Sequence, residues 1–135
     1  MGILNVTPDS FHSESRTPAL DATLERARRL LQEGADILDV GGESTRPGAQ
    51  ALSASEELKR IVPVFAALAS EFPDLPLSVD TYKAEVARVA LEAGASLVND
   101  VSGGRLDAAM PRVVASTGAT TLCNSVRPAR DISKT

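Results

Sequence analysis

The chain has 135 residues and a mass of 14.1 kDa, with 43% hydrophobic and 24% charged residues, the make-up of one ordinary globular domain. Fourteen basic against eighteen acidic residues leave a net charge of −4 with no basic block, so neither nucleic acid nor an acidic membrane surface is an expected partner and any anion site must be local. The lone cysteine, Cys123, precludes an internal disulfide, and with a single histidine, His12, a closed structural zinc site is not available. No apolar run reaches the length of a membrane span, the N-terminus does not read as a signal peptide, and a reducing, cytoplasmic setting is expected.

Gly2 to Val6 reads as a first strand with Asn5 at its end, followed by the turn signal Thr7-Pro8-Asp9 and a polar loop containing Phe11. Leu20, Leu24, Ala27 and Leu31 recur at helical spacing, and Gly34 stops that helix. Ala35 to Val40 is the second strand, turning polar at Asp39 and running into a Gly-rich loop, Gly41 to Gly48. Ser53-x-x-Glu56 is a capping box for a helix whose apolar face is Leu58, Ile61, Val62, Phe65 and Leu68, with a kink expected at Pro63.

Leu77 to Val79, closed by Asp80, is the third strand. Thr81 is placed to cap a third helix that turns Tyr82, Val86, Val89, Ala90 and Ala93 inward. Ser96 to Val98 is the fourth strand, ending in Asn99-Asp100-Val101 before the loop Ser102-Gly103-Gly104. Asp107 is placed to cap a fourth helix, with Pro111 in its first turn. Thr120 to Cys123, ending in Asn124, is the fifth strand, and residues 125–135 form a polar tail without a period, expected to be disordered. The dipeptide Gly-Ala precedes the second, fourth and fifth strands, at 34–35, 94–95 and 118–119. Strand, loop and helix in regular alternation imply right-handed βαβ units and a parallel sheet.

Each strand ends in a polar residue: Asn5, Asp39, Asp80, Asn99 with Asp100, and Asn124. Caps and turns alone account for many such positions, but strand ends in parallel α/β architectures converge on one face, where ligands bind. A carboxylate and an amide, Asp80 and Asn99, suit a ring that offers N–H donors and an acceptor nitrogen. The loop at 41–48, with two glycines and Arg46, reads either as a tight surface turn or as an anion site suited to phosphate, with a hard cation as a further option. No Ser-His-acid arrangement supports a covalent nucleophile.

Four stretches resemble the signatures of one family. Met1 to Phe11, Gly41 to Ala49, Ser78 to Lys83 and Val98 to Gly104 are similar, in order, to the first four motifs of dihydropteroate synthase. The resemblance implies parallel (β/α) units of a TIM barrel, with about five of its eight strands present in residues 1–124. It implies a transferase that joins 6-hydroxymethyl-7,8-dihydropterin diphosphate to 4-aminobenzoate in folate biosynthesis, releasing dihydropteroate and diphosphate, with sulfonamides competing for the aminobenzoate site. It implies Mg2+ at Asn5. Thr45, Asp80, Asn99 and Val101 match contacts to the pterin diphosphate, and Asp9, Phe11, Arg46 and Pro47 match the loops of the aminobenzoate pocket. The partners implied are these small molecules and a second copy of the enzyme, through an interface largely outside this chain.

The chain departs from the family where His12-Ser13-Glu14-Ser15 stands for Ser-Asp-Gly-Gly, and where Asn124-Ser125-Val126-Arg127 stands for a Met-His-Met-Arg-like run. The family's later acid, lysine and Arg-x-His motif have no counterpart, so the chain reads as truncated. An open half-barrel is expected to expose its edge strands and inward apolar side chains, to be unstable or to self-associate, and to turn over little substrate. Two rival readings are a methyltetrahydrofolate-binding methyltransferase of the same superfamily and a non-catalytic pterin-binding half-barrel.

Overall fold

A computed structural model describes residues 1–6, 18–42, 53–100 and 106–122. Five strands and four helices alternate along them: β1 (Gly2–Asn5), α1 (Pro18–Gln32), β2 (Leu38–Gly41), α2 (Ala54–Glu71), β3 (Leu77–Asp80), α3 (Ala84–Ala93), β4 (Leu97–Asn99), α4 (Met110–Thr117) and β5 (Thr120–Leu122). The strands form one parallel sheet in sequence order, β1 to β5. Unbroken sequential order is the pattern of a barrel wall, since each crossover advances the sheet by one strand in the same direction.

The two faces of the sheet differ in chemistry. Leu4, Val40, Val79 and Val98 share one face and are fully buried in the core against Leu24, Ala27, Ile61, Phe65, Leu68, Val86 and Ala90 of the helices. The opposite face carries Ile3, Asp39, Ser78 and Leu97 at one level and Asp80 and Asn99 at the next. Strand alternation therefore sends an all-apolar set to the helices and gathers the polar residues, with Ile3 and Leu97, on the other side. Ile3 on that second face is 54% exposed, in keeping with the expected uncovered inward side chain.

The Gly-Ala repeat has a backbone cause. Gly34, Gly94 and Gly118 all have positive φ, 104°, 130° and 69°, and each turns the chain out of a helix. Ala35 N–H then donates to Leu30 C=O and Ala95 N–H to Ala90 C=O, the 6→1 closure of a Schellman turn. At Gly94 a Cβ would also stand 2.8 Å from the Ala69 Cβ on α2, so this position is held by packing as well as by φ.

Several local expectations are corrected. The buried stripe of α2 is Glu57, Ile61, Val64, Phe65 and Leu68, rotated from the stripe read through Leu58 and Val62, which are only half-buried. Ser53 does cap α2, accepting from Glu56 N–H at 3.2 Å, and the helix runs through Pro63. Thr81 does not cap α3: the helix starts at Ala84 after Lys83, and the Thr81 hydroxyl accepts from Lys83 N–H at 3.1 Å. Asp107 carries out that task instead, its Oδ2 accepting from Ala84 N–H at 2.7 Å while Oδ1 accepts from Ala109 N–H at 3.0 Å. One carboxylate thus closes the start of α3 from 23 positions away and also holds the backbone of Ala109, the residue that precedes α4. Asp39 is not a strand end, because β2 continues to Gly41. In the sheet register Asp39 lies level with Ser78 and Leu97, five residues after Gly34 against three after Gly94, so equal sequence offsets place Asp39 and Asn99 at different levels.

Candidate functional site

The C-terminal ends of β1 to β4 bring Asn5, Gly41, Asp80 and Asn99 to one level of the polar face. Asn5 is exposed, Asp80 half-buried and Asn99 buried. Asp80 and Asn99 are register neighbours on β3 and β4, so a carboxylate and an amide stand side by side. On the other flank of Asp80 the strand offers Gly41. A Cβ there would meet the Asp80 Cβ and Oδ2 at 3.3 Å, so glycine leaves the carboxylate room on that side.

One level deeper, Asp39 and Ser78 are buried register neighbours. Asn99 leans across β3 and donates from Nδ2 to Asp39 Oδ2 at 3.0 Å. Among the described residues Asp39 Oδ1, Asn99 Oδ1 and the Ser78 hydroxyl are buried with no partner in hydrogen-bonding geometry, a costly state unless something else meets them.

Electrostatics at this face are dominated by crowded acids. Burial, together with repulsion from Asp39, Glu57 and Asp100, raises the Asp80 carboxyl from its ordinary 3.8 to about 6. Burial also pushes Asp39 upward, against the opposing influence of Asn99 and then Ser78. Among the described residues no hydrogen bond or ion pair reaches the Asp80 carboxylate. The arrangement can accept hydrogen bonds from a ligand, and among the described residues it has no cation at this level.

A second network fixes the rim. Glu57, 1% exposed in the first turn of α2, receives Thr81 Oγ1–H at 2.7 Å and Lys83 Nζ at 2.8 Å. Arg60 donates to the Gly42 carbonyl at 2.9 Å. A Cβ at Gly42 would lie 2.9 Å from Ile61 Cγ2 and 3.3 Å from Glu57 Cγ. The start of the Gly-rich loop is therefore pressed onto α2, and the segment after β3 is tied to the same helix. Glu57 and Arg60 go unread in the sequence, and Lys83 is read there only as the end of the third motif. The available signal was an acid at position 57 on the helical stripe continued by Ile61, Val64 and Leu68.

Of the residues assigned by resemblance, Asn5, Asp80 and Asn99 gather on this face. Asp9, Phe11, Thr45, Arg46, Pro47 and Val101 lie outside the described residues, as do Cys123, Asn124 and the tail. Among the described residues no cluster of three or more His, Cys, Asp or Glu side chains is placed to hold a metal ion, and no helix is long and apolar enough to cross a membrane.

With this geometry in view, the likeness to known proteins is specific. The family model "Pterin binding enzyme" matches residues 1–134. A dihydropteroate synthase of Clostridium beijerinckii is 49% identical over 115 residues, which is 85% of this chain and 42% of the relative. A crystal structure of dihydropteroate synthase from Clostridium difficile, obtained in the presence of pteroic acid, superposes with a TM-score of 0.81 at 48% identity, over 89% of this chain and 45% of that one. The Xanthomonas albilineans dihydropteroate synthase with 4-aminobenzoic acid gives 0.78 at 47% identity, over 89% and 43%. The chain thus spans under half the length of the relatives it matches. Five parallel strands in barrel order, a polar face at their C-terminal ends and a family match along nearly all of its length lead to one conclusion: the chain belongs to the pterin-binding enzyme family.

Proposed function

We propose that this chain forms part of a dihydropteroate synthase and carries a dihydropterin-binding face. The observation that carries the reading is the Asp80–Asn99 pair, register neighbours facing the barrel interior beside Gly41. Two adjacent hydrogen-bonding groups of this kind match the donor-bearing edge of a pterin. The reading is supported by relatives crystallised with pteroic acid and with 4-aminobenzoic acid.

In the reaction the aromatic amine of 4-aminobenzoate attacks the exocyclic methylene of the dihydropterin. The methylene C–O bond breaks, diphosphate leaves with the electron pair, and the amine nitrogen loses a proton. The protein's tasks are to hold the ring, to meet the developing charge on the diphosphate and to exclude water. Asp80 and Asn99 hold the ring, with Thr45 and Val101 as further contacts to the pterin diphosphate. Asp9, Phe11, Arg46 and Pro47 form the aminobenzoate pocket, where sulfonamides compete.

Asn5 suits Mg2+ in its donor chemistry. Its amide oxygen is a hard ligand, its side chain is exposed at the end of β1, and Mg2+ takes few protein ligands beside waters and substrate phosphates. When bound, the ion neutralises charge on the departing diphosphate. By the same reading the enzyme is cytoplasmic and works as a homodimer, through an interface largely outside this chain.

Calorimetry of the purified chain with 6-hydroxymethylpterin tests the reading. Binding that Asp80→Ala abolishes is expected, with little or no turnover when the pterin diphosphate and 4-aminobenzoate are supplied. Absence of binding, or binding indifferent to Asp80→Ala, rejects it.

A further inference from the structure

The buried pair Asp39–Asn99 has a property that the pterin contacts alone do not explain. An ionised carboxylate has no proton to give, so only the NH2 end of the Asn99 amide can face Asp39. The bond Asn99 Nδ2–H···Oδ2 Asp39, 3.0 Å long, therefore selects one of the two flips of that amide. The other end, Oδ1, is left buried and without a partner among the described residues. Beside it on β3 stands the Asp80 carboxylate, also an acceptor and also without a partner among the described residues.

We infer that Asp39 is a positioning residue that fixes Asn99 as an acceptor, so that Asp80 and Asn99 together select a ligand edge carrying two neighbouring N–H donors. The inference rests on the reading of this face as a pterin site. A free asparagine reads a donor or an acceptor equally well by flipping, so it discriminates poorly. An amide locked by a buried carboxylate does not flip, because the flipped form sets a carbonyl against a carboxylate. The lock depends on reach. Asp39 sits one level below Asn99 and two strands away, and Gly41, with no side chain at the upper level of β2, leaves that level of β2 clear. Asp39 touches no ligand in this scheme. It acts through Asn99.

The test uses the full chain with pterin and pteridin-4-one, which lacks the 2-amino group. The unaltered protein is expected to favour pterin by about tenfold, the worth of one good hydrogen bond. Asp39→Leu, close in size and unable to accept, is expected to reduce that preference to about twofold or less by weakening pterin binding and sparing the analogue. In an Asn99→Ala background the same substitution is expected to leave the preference unchanged, since the residue it acts through is gone. A preference that survives Asp39→Leu, or one that falls equally in the Asn99→Ala background, overturns the inference.

The side-chain amide resonances of Asn99 in the free protein give a second readout. They should be slow to exchange and shift on Asp39→Leu, and resonances indifferent to it overturn the lock directly. Failure of the unaltered chain to bind pterin rejects the functional reading instead, and the amide resonances still decide whether Asp39 holds Asn99.

Discussion

Lys83 reaches back from the start of α3 to Glu57 in the first turn of α2, its Nζ 2.8 Å from Oε1 of a carboxylate that is only 1% exposed. Thr81 holds the other oxygen of the same carboxylate at 2.7 Å. The segment that follows Asp80 is thus anchored to the same helix against which Gly42 packs.

Removing one partner of this pair strands a charge inside the protein. Lys83→Met is expected to cost ~3 kcal/mol, the usual penalty for breaking a buried ion pair from one side. The double variant Glu57→Gln/Lys83→Met is expected to cost clearly less than the sum of its single variants. Urea denaturation of the four proteins measures the coupling, and strict additivity contradicts the pairing.

Asp80 makes both stability and binding depend on pH. Its carboxyl titrates near 6 when folded, against an ordinary 3.8, so the folded state holds more protons than the unfolded chain between those values. Stability therefore falls as pH rises through that window, and the full penalty is present above it. Asp80→Asn is expected to raise stability at pH 7 by ~1–3 kcal/mol while weakening pterin binding. In the unaltered chain pterin binding should weaken as pH drops below about 6, because a protonated carboxyl loses acceptor capacity. Paired melting and calorimetric curves from pH 5 to 8 check both slopes.

Two adjacent glycines should respond differently to alanine. At Gly42 the new methyl meets Ile61 Cγ2 at 2.9 Å and Glu57 Cγ at 3.3 Å, an overpacking expected to cost ~1–3 kcal/mol. At Gly41 it meets the Asp80 side chain at 3.3 Å. That side chain can give way, so the expected effect is on pterin affinity more than on stability. Denaturation and calorimetry of both variants separate the two, and equal loss of stability contradicts the assignment.

Asp107 is held below the ordinary carboxyl value by the backbone N–H groups of Ala84 and Ala109. A depressed folded value means that its contribution is present above about pH 4 and is lost as pH falls through the folded value. Asp107→Ala is expected to speed amide exchange at Ala84 and Ala109 together. Faster exchange at only one of them means that the two helix starts are not joined by this side chain.

Much of this protein is legible in its residues. The order of strands and helices, the capping Ser53, the helix-ending glycines and the polar strand ends at Asn5, Asp80 and Asn99 all follow from patterns that repeat within a few residues, where backbone sterics and local hydrogen bonding rule. The four motifs carried the family as well. What the sequence could not decide is which distant groups meet. The sheet register sets Asp39 level with Leu97, one level below Asn99, and only this places it within reach of Asn99, 60 positions away. Asp107 reads locally as a cap for α4, yet α4 begins after Ala109 without a side-chain cap, and the carboxylate closes α3 instead, because helix packing brings Ala84 to its second oxygen. Glu57 lies on a stripe of apolar residues, and its burial is made tolerable by Thr81 and Lys83, which follow the C-terminal end of β3. Local periodicity determined the elements and the family. The pairing of buried polar groups was decided by the tertiary fold, because desolvation leaves such groups stable only where a partner from elsewhere in the chain is delivered.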